Sequence, residues 1–398
     1  MTSAATLEAM ADPAAREAEF AERKGPGHPD TLCDAIAEAV SRALSGAYLD
    51  RFGRILHHNV DKVLLVGGSA EPRFGGGRVT APLRIVLAGR ATARVGTVSI
   101  DVEAIALDAA RRCLAAQLRH VDIGRDAVFE CRIRPGSAEL RELFARGGAV
   151  PLANDSSAGA GFAPFSPLEE LVRRCARMLE APGTRPHPAC GEDVKVAAMR
   201  SGGTTRLTVA CAAIDAALAD AAAYGRFRDA TLAALRREAD ASPALAAGRI
   251  DFNAADDPDS GIFYLTVTGS SAESGDDGET GRGNRASGLI SIGRPCSLEA
   301  TAGKNPASHT GKLYNVLSQE LAEEIVREVP GAAAVECVLA SRIGAPIDAP
   351  ALFHLRVAPA PGHSLAALAP RIEARAQAAL ARLPGLWRRI VAGEVRLF

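Results

Sequence analysis

Three times along this chain, β-like runs with polar alternation hand over to a helical stretch, and that recurrence constrains the fold more than any other feature. The first round opens on a helix in which Leu32, Ile36, Val40, Leu44 and Tyr48 recur at helical spacing and Gly53 is placed to end it. Strand-like runs follow at 62–68 and 83–92, then a helical stretch at about 100–119 and a further run at 127–137. In the second round Ser166, Pro167 and Glu169 spell a capping box ahead of a helix. A strand is expected at 204–214, then a long Ala/Leu/Arg helix to about residue 240. The third round places strands at 261–271 and 351–359 and helices at about 311–328 and 365–382. The Gly/Ser/Asp-rich stretches at 153–161 and 269–288 are too long for tight hairpins and read as long ordered loops. The reading is α+β: three sheets covered by helices, over residues 20–125, 126–250 and 251–398, with residues 1–19 as an N-terminal extension.

Composition narrows the function classes. The formal net charge of −1 argues against a general nucleic-acid or membrane-surface binder, while leaving room for a local basic pocket. The eight cysteines form no C-x-x-C pair and no zinc spacing, as expected of free thiols in a reducing cytoplasm. No apolar run is long enough to span a bilayer, and residues 1–20 carry acidic residues and no signal-peptide core. The expected location is cytoplasmic.

Four polar constellations carry the chemistry. In Lys24-Gly25-Pro26-Gly27-His28-Pro29-Asp30, capping preferences account for Pro29 and Asp30 at the positive end of a helix. They do not account for Lys24, two glycines and His28 around the same helix start, a combination suited to a polyphosphate with its metal. In 152–167, Asp155 sits among small residues that permit close ligand approach, either as an Asx turn or as a ligand for a metal or cation. In "CGEDVKV", Asp193 and Lys195 lie two apart and so share one face of a strand. In 271–288 and 297–315, Asp276 and Asp277 are candidate metal ligands, and Arg282, Arg285, Lys304 and Lys312 are candidate phosphate grips. The calcium-loop and P-loop templates both fail there. His57 and His58 are adjacent, point to opposite faces of a strand, and make a poor two-ligand metal site. The inventory implies a metal-assisted site for a highly anionic substrate, most economically a nucleoside triphosphate. Which bond breaks does not follow from these residues.

The blocks "ERKGPGHPDTLCDAIAEAV", "LANDSSAGAGFAPFS", "GEDVKV", "TVTGSSAESGDDGETGRGNR" and "AGKNPASHTGKLYNVL" resemble, in order, the archaeal-type methionine adenosyltransferases (S-adenosylmethionine synthetases), from about residue 20 to the C-terminus. The resemblance implies three interleaved α+β domains about a pseudo-threefold axis and a homodimer with shared active sites. It implies Mg2+ and K+ as ions, and ATP and L-methionine as substrates: sulfur attacks ribose C5′, and the displaced triphosphate is then hydrolysed. Matched residue by residue, it gives His28, Lys195, Lys304 and Arg282 catalytic roles and makes Asp30 and Asp277 metal ligands. Asp155, Asp193, Asp277, Lys304 and Asn305 fall at nucleotide- or methionine-binding positions, with Asn305 where bacterial-type relatives keep a metal-binding aspartate. Ala158, Ser274 and Ile292-Gly293 depart from the family pattern toward less pocket bulk, which predicts tolerance of bulkier methionine analogues such as ethionine. A triphosphatase without methionine use, or a non-catalytic paralogue, are the competing readings. Retention of His28, Lys195 and Lys304 speaks against the second.

Overall fold

A computed structural model describes residues 4–13, 16–137, 148, 150–245 and 248–398. Its main mass is three sheets, each with its own apolar core and two long helices. The first sheet runs in the order Gly278–Glu279, His58–Val66, Leu83–Ala91, Ala127–Arg134. Helices α1 (Pro29–Phe52) and α2 (Val102–Gln117) belong to its core, in which Leu32, Ile36, Val40, Leu44, Leu65, Ile85 and Leu114 are buried. The apolar spacing read from the sequence is therefore the inner face of α1, and Gly53 ends the helix with φ 67 as a left-handed cap.

The second sheet runs Arg249–Phe252, Thr204–Ile214, Cys190–Ser201, Glu19–Lys24, Ile290–Ile292, with Leu265–Thr266 also paired to Thr204–Ile214. Against it pack α3 (Pro167–Glu180) and α4 (Ala221–Asp240) through Leu168, Leu171, Cys175, Phe227 and Leu235. The capping box forms as expected: Ser166 Oγ accepts from Glu169 N at 3.1 Å and Glu169 Oε2 accepts from Ser166 N at 2.8 Å. The third sheet, Thr6–Ala9, Leu352–Pro359, Ala332–Ala340, Ala158–Ala163, is covered by α5 (Thr310–Glu328) and α6 (Leu365–Arg382).

Two local expectations are corrected. Residues 153–161 are not all loop, because Ala158–Ala163 is a strand paired antiparallel to Ala332–Ala340. Its small residues let the strand lie directly on α5: a Cβ at Gly159 would fall 2.2 Å from the Tyr314 carbonyl carbon, and one at Gly161 2.3 Å from Gln319 N. The run at 261–271 supplies only Leu265–Thr266 as a strand, since Ser271–Ser274 is a 3-10 turn. The sequence spans 20–125, 126–250 and 251–398 each feed more than one sheet, and Thr6–Ala9 is itself a strand of the third. No helix among the described residues is long and apolar enough to cross a membrane.

Candidate active site

The strand Glu19–Lys24 delivers the chain into Gly25-Pro26-Gly27 and then into α1. Gly25 N and Gly27 N donate to Val194 O and Glu192 O at 2.6 and 2.9 Å. A Cβ at Gly27 would lie 2.5 Å from the Glu192 carbonyl carbon, so only glycine allows this close approach. His28 is the N-cap of α1, and its Nδ1 accepts from Asp30 N at 3.2 Å. Burial, reinforced by Lys24, holds the imidazole pKa down to about 4, so the ring is neutral at physiological pH. With Nδ1 accepting, the single ring proton sits on Nε2, which has no hydrogen-bond partner among the described residues.

The facing wall comes from Cys190–Ser201. Its ladder to Thr204–Ile214 is interrupted between Cys190 and Val194, and this irregularity presents Asp193. Asp193 Oδ2 accepts from Ser271 N (2.8 Å), Ser271 Oγ (2.6 Å) and Tyr264 OH (3.2 Å). Burial outweighs these bonds and pushes its carboxyl up to about 6. Lys195, two residues on, keeps a half-exposed ammonium 3.2 Å from Glu22 Oε2. His28, Asp193, Lys195, Tyr264, Ser271 and Asp276 line one cavity of about 410 Å³. Asn253 completes the floor in a left-handed conformation, φ 43, its amide bonded to both the N–H and the carbonyl of Cys211 and to Tyr224 OH.

Below the helix start, Asp30 is held between two segments. Its Oδ2 accepts from Lys24 Nζ at 2.8 Å and its Oδ1 from Glu279 N at 3.0 Å. Burial opposes the charged form, but those two bonds prevail and hold the carboxyl below its ordinary value. Arg282 Nε stands 4.0 Å from Asp30 Oδ1 on a side chain that is 70% exposed, free to meet an anion arriving from solvent.

Other candidates lie elsewhere. Asp155 is exposed on the third-sheet side, its carboxylate accepting from Ser156 N and Ser157 Oγ of its own loop. Asp277 turns away from its neighbour Asp276 and accepts from Gly67 N at 2.8 Å, so of the two it is Asp276 that lines the cavity. Lys304 is a buried ion-pair partner, 2.5 Å from Asp61 and 3.1 Å from Glu299. Burial alone would lower its pKa, but these carboxylates raise it. Lys312 is fully buried on Glu38 at 2.6 Å. Asn305 donates to Leu56 O and accepts from Ala307 N inside the protein. Arg285 likewise spends its guanidinium on the Gly281 and Gly283 carbonyls. Ala158, Ser274, Ile292 and Gly293 do not line the cavity.

Sequence reasoning did not single out Tyr264, Ser271 or Asn253. The only signal for Ser271 is its place at the head of the Gly/Ser/Asp-rich stretch, and the other two carry none.

In chemical terms the cavity offers a neutral N–H donor at a helix N-terminus, an ammonium, and carboxylates at two depths. Donors of this kind stabilise charge that builds on a departing anion. Among the described residues no three His, Cys, Asp or Glu side chains converge on a metal position. The donor set nevertheless fits Mg2+, which is commonly held by one or two carboxylates together with substrate phosphates. Lys24's ammonium on Asp30 marks that carboxylate as a point that accepts a cation.

The S-adenosylmethionine synthetase (AdoMet synthetase) family profile matches residues 6–394. The S-adenosylmethionine synthase of Methanothermobacter thermautotrophicus is 42% identical over 388 residues, covering 96% of each chain. That of Aeropyrum pernix is 45% identical over 388 residues with the same coverage. A probable S-adenosylmethionine synthase of Aquifex aeolicus is 43% identical over 385 residues, or 95% of each.

Proposed function

The chain belongs to the S-adenosylmethionine synthetase family, and from that premise we propose how its residues perform methionine adenosyl transfer. The methionine sulfur attacks ribose C5′ of ATP, forming the S–C bond as the C5′–O bond breaks and its electron pair leaves with the triphosphate. Water then cleaves the triphosphate to diphosphate and phosphate. Sulfur needs no proton removed, so the residues have two tasks: to align the thioether with C5′ and to stabilise charge on the leaving oxygen.

His28 donates from Nε2 to the oxygen leaving C5′, the role best supported by its neutral ring and its proton on the free nitrogen. Lys195 and Arg282 meet the triphosphate as point charge and guanidinium fork. Asp193 and Asp155 orient nucleotide and methionine. Asp155, being exposed and outside the cavity, serves a site on a second copy of the chain. Leu64, Val66 and Val128, 45%, 40% and 41% exposed on one face of the first sheet, support burial of that face in a homodimer. Lys304 and Asn305 act from behind, anchoring the loop ahead of α5.

Asp30 and Asp276 would hold Mg2+, which when bound neutralises triphosphate charge. Asp277, matched by resemblance to the same duty, is proposed beside them, one of its oxygens accepting from Gly67 N as those of Asp30 accept from Lys24 and Glu279. K+ is proposed as the monovalent ion on the resemblance alone, and the cytoplasm as the location. The observation that carries the proposal is the single cavity joining His28, Asp193, Lys195 and Asp276.

The experiment is an incubation with ATP, L-methionine, Mg2+ and K+, reading S-adenosylmethionine by mass spectrometry and diphosphate and phosphate separately, beside His28→Ala. Methionine-dependent S-adenosylmethionine with matching diphosphate and phosphate, lost in the variant, is the expected result. Phosphate release that ignores methionine would instead mark a triphosphatase.

A further inference from the structure

Four residues after Asp30, on the same face of α1, stands a second carboxylate that no step above uses. Asp34 is 2% exposed. Its Oδ1 accepts from Gly281 N at 2.8 Å, and its other oxygen lies so close to Gly283 that a Cβ there would sit 2.3 Å from it. Gly281 and Gly283 flank Arg282. The loop 279–284 is thus tied to α1 at two rungs, Glu279 N on Asp30 and Gly281 N on Asp34. It is tied to the preceding strand by Lys24, whose ammonium meets Arg282 O at 2.9 Å and whose backbone exchanges two bonds with the Asn284 amide. Arg285 reaches back to the Gly281 and Gly283 carbonyls, closing the turn from the other side. The Gly281, Arg282 and Gly283 carbonyls and the Gly281 and Arg282 N–H groups are thus all bonded, while the Arg282 side chain stays 70% exposed.

A buried carboxylate is expensive, and burial pushes this one up to about 7 despite its bonds from the loop backbone. Here those bonds go to the two glycines on either side of the one exposed guanidinium near Asp30. We propose that Asp34 is a positioning residue for the reaction: by seating Gly281 and Gly283 it sets the reach of Arg282 across Asp30 toward the triphosphate. The glycines are required at 281 and 283 for the same reason, the first at φ 90 and the second pressed on the carboxylate. The inference rests on the triphosphate role given to Arg282.

The test is a double-mutant cycle in the full chain between Asp34→Ala and Arg282→Ala, with Asp34→Asn alongside, following kcat and KM for ATP and methionine and the melting temperature of each. Asp34→Ala is expected to lower kcat by about tenfold or more, as misplacing a charge-stabilising group by an ångström does. KM for methionine should stay within about threefold, because methionine does not meet the triphosphate grip. Asp34→Asn keeps one acceptor and should fall between. In the Arg282→Ala background the further loss from Asp34→Ala should shrink to about twofold or less, since a residue that acts through Arg282 has nothing left to position. If the alanine variant does not fold, Asp34→Asn takes its place in the cycle. Losses that multiply would overturn the proposal while leaving Arg282 its role. An Arg282→Ala enzyme with wild-type rate would overturn both.

Discussion

The pair Lys312–Glu38 offers a quantitative test of how this fold is held together. The ammonium is fully buried and the carboxylate 9% exposed, 2.6 Å apart, joining α5 to α1. Glu38 Oε2 also accepts from Gly303 N at 3.0 Å, while its Oε1 has no hydrogen-bond partner among the described residues. Burial presses the Lys312 pKa down despite the carboxylate. Lys312→Met preserves volume but strands the charge on Glu38, and breaking a buried pair in this way costs about 3–5 kcal/mol. Unfolding entropy is about 2.1 cal/mol/K per residue, so a chain of 398 residues melts lower by roughly 1 °C for each 0.8 kcal/mol. The expected loss is about 4–6 °C. Glu38→Gln in the Lys312→Met background removes the stranded charge and leaves an acceptor for Gly303 N. It should restore about half of that loss or more. Differential scanning calorimetry of the four proteins at one scan rate reads the cycle. A double variant no more stable than Lys312→Met alone would refute the reasoning, because the cost would then lie in packing rather than in an unpaired charge.

Other outcomes follow from the same geometry. His28→Ala should lower kcat by about 10²–10³, the usual effect of removing one donor aimed at a developing charge, measured as S-adenosylmethionine formed under saturating substrates. The acidic limb of kcat/KM should fall near pH 6 and belong to Asp193, whose carboxyl sits at about 6, rather than to His28 at about 4. Residual activity of His28→Ala should keep that limb, and its disappearance would reverse the assignment. His58, fully buried between Ser41 and Leu56, has its pKa pressed by burial to about 3. The unfolded chain therefore binds a proton below about pH 6.5 that the folded one refuses. That stability is complete above pH 6.5 and lost toward pH 3 at about 1.4 kcal/mol per pH unit. Denaturation of His58→Gln between pH 4.5 and 7 should show a shallower slope than wild type. Gly27→Ala should abolish activity with a folded circular-dichroism spectrum, since its methyl meets the Glu192 backbone that supports His28.

Much of this was legible in residue order, and what escaped did so for physical reasons. Helical spacing marked the inner face of α1, the Ser166 box marked the start of α3 to the residue, and the stretches read as α2, α4, α5 and α6 are helices. Periodicity missed Ala158–Ala163 because a strand pressed onto a helix is written in glycine and alanine, which carry no alternation. Local chemistry brought out His28, Asp193 and Lys195, which meet in one cavity. It could not separate Asp276 from Asp277, nor tell that Lys304 and Lys312 face inward. Which lysine finds a buried acid depends on Asp61 and Glu38, each more than 240 positions away in the chain. Tertiary pairing decides whether a cation grips a ligand or props a helix.

The placement of Glu19–Lys24 has a bearing on synthesis. This strand is internal, paired on one side with Cys190–Ser201 and on the other with Ile290–Ile292. The ribosome makes the strand and the His28 turn well before either neighbour emerges. Until residues 190–201 appear, the backbone of residues 19–24 lacks its sheet partners on both sides, and Asp30 waits for Glu279. The site is therefore completed late, and a nascent chain must carry an open β-edge until residues 290–292 have followed. Such edges recruit strangers. Slow stretches of translation or chaperone occupancy would matter most in that interval, so the earliest-made part of the active centre is the one most exposed to misassembly.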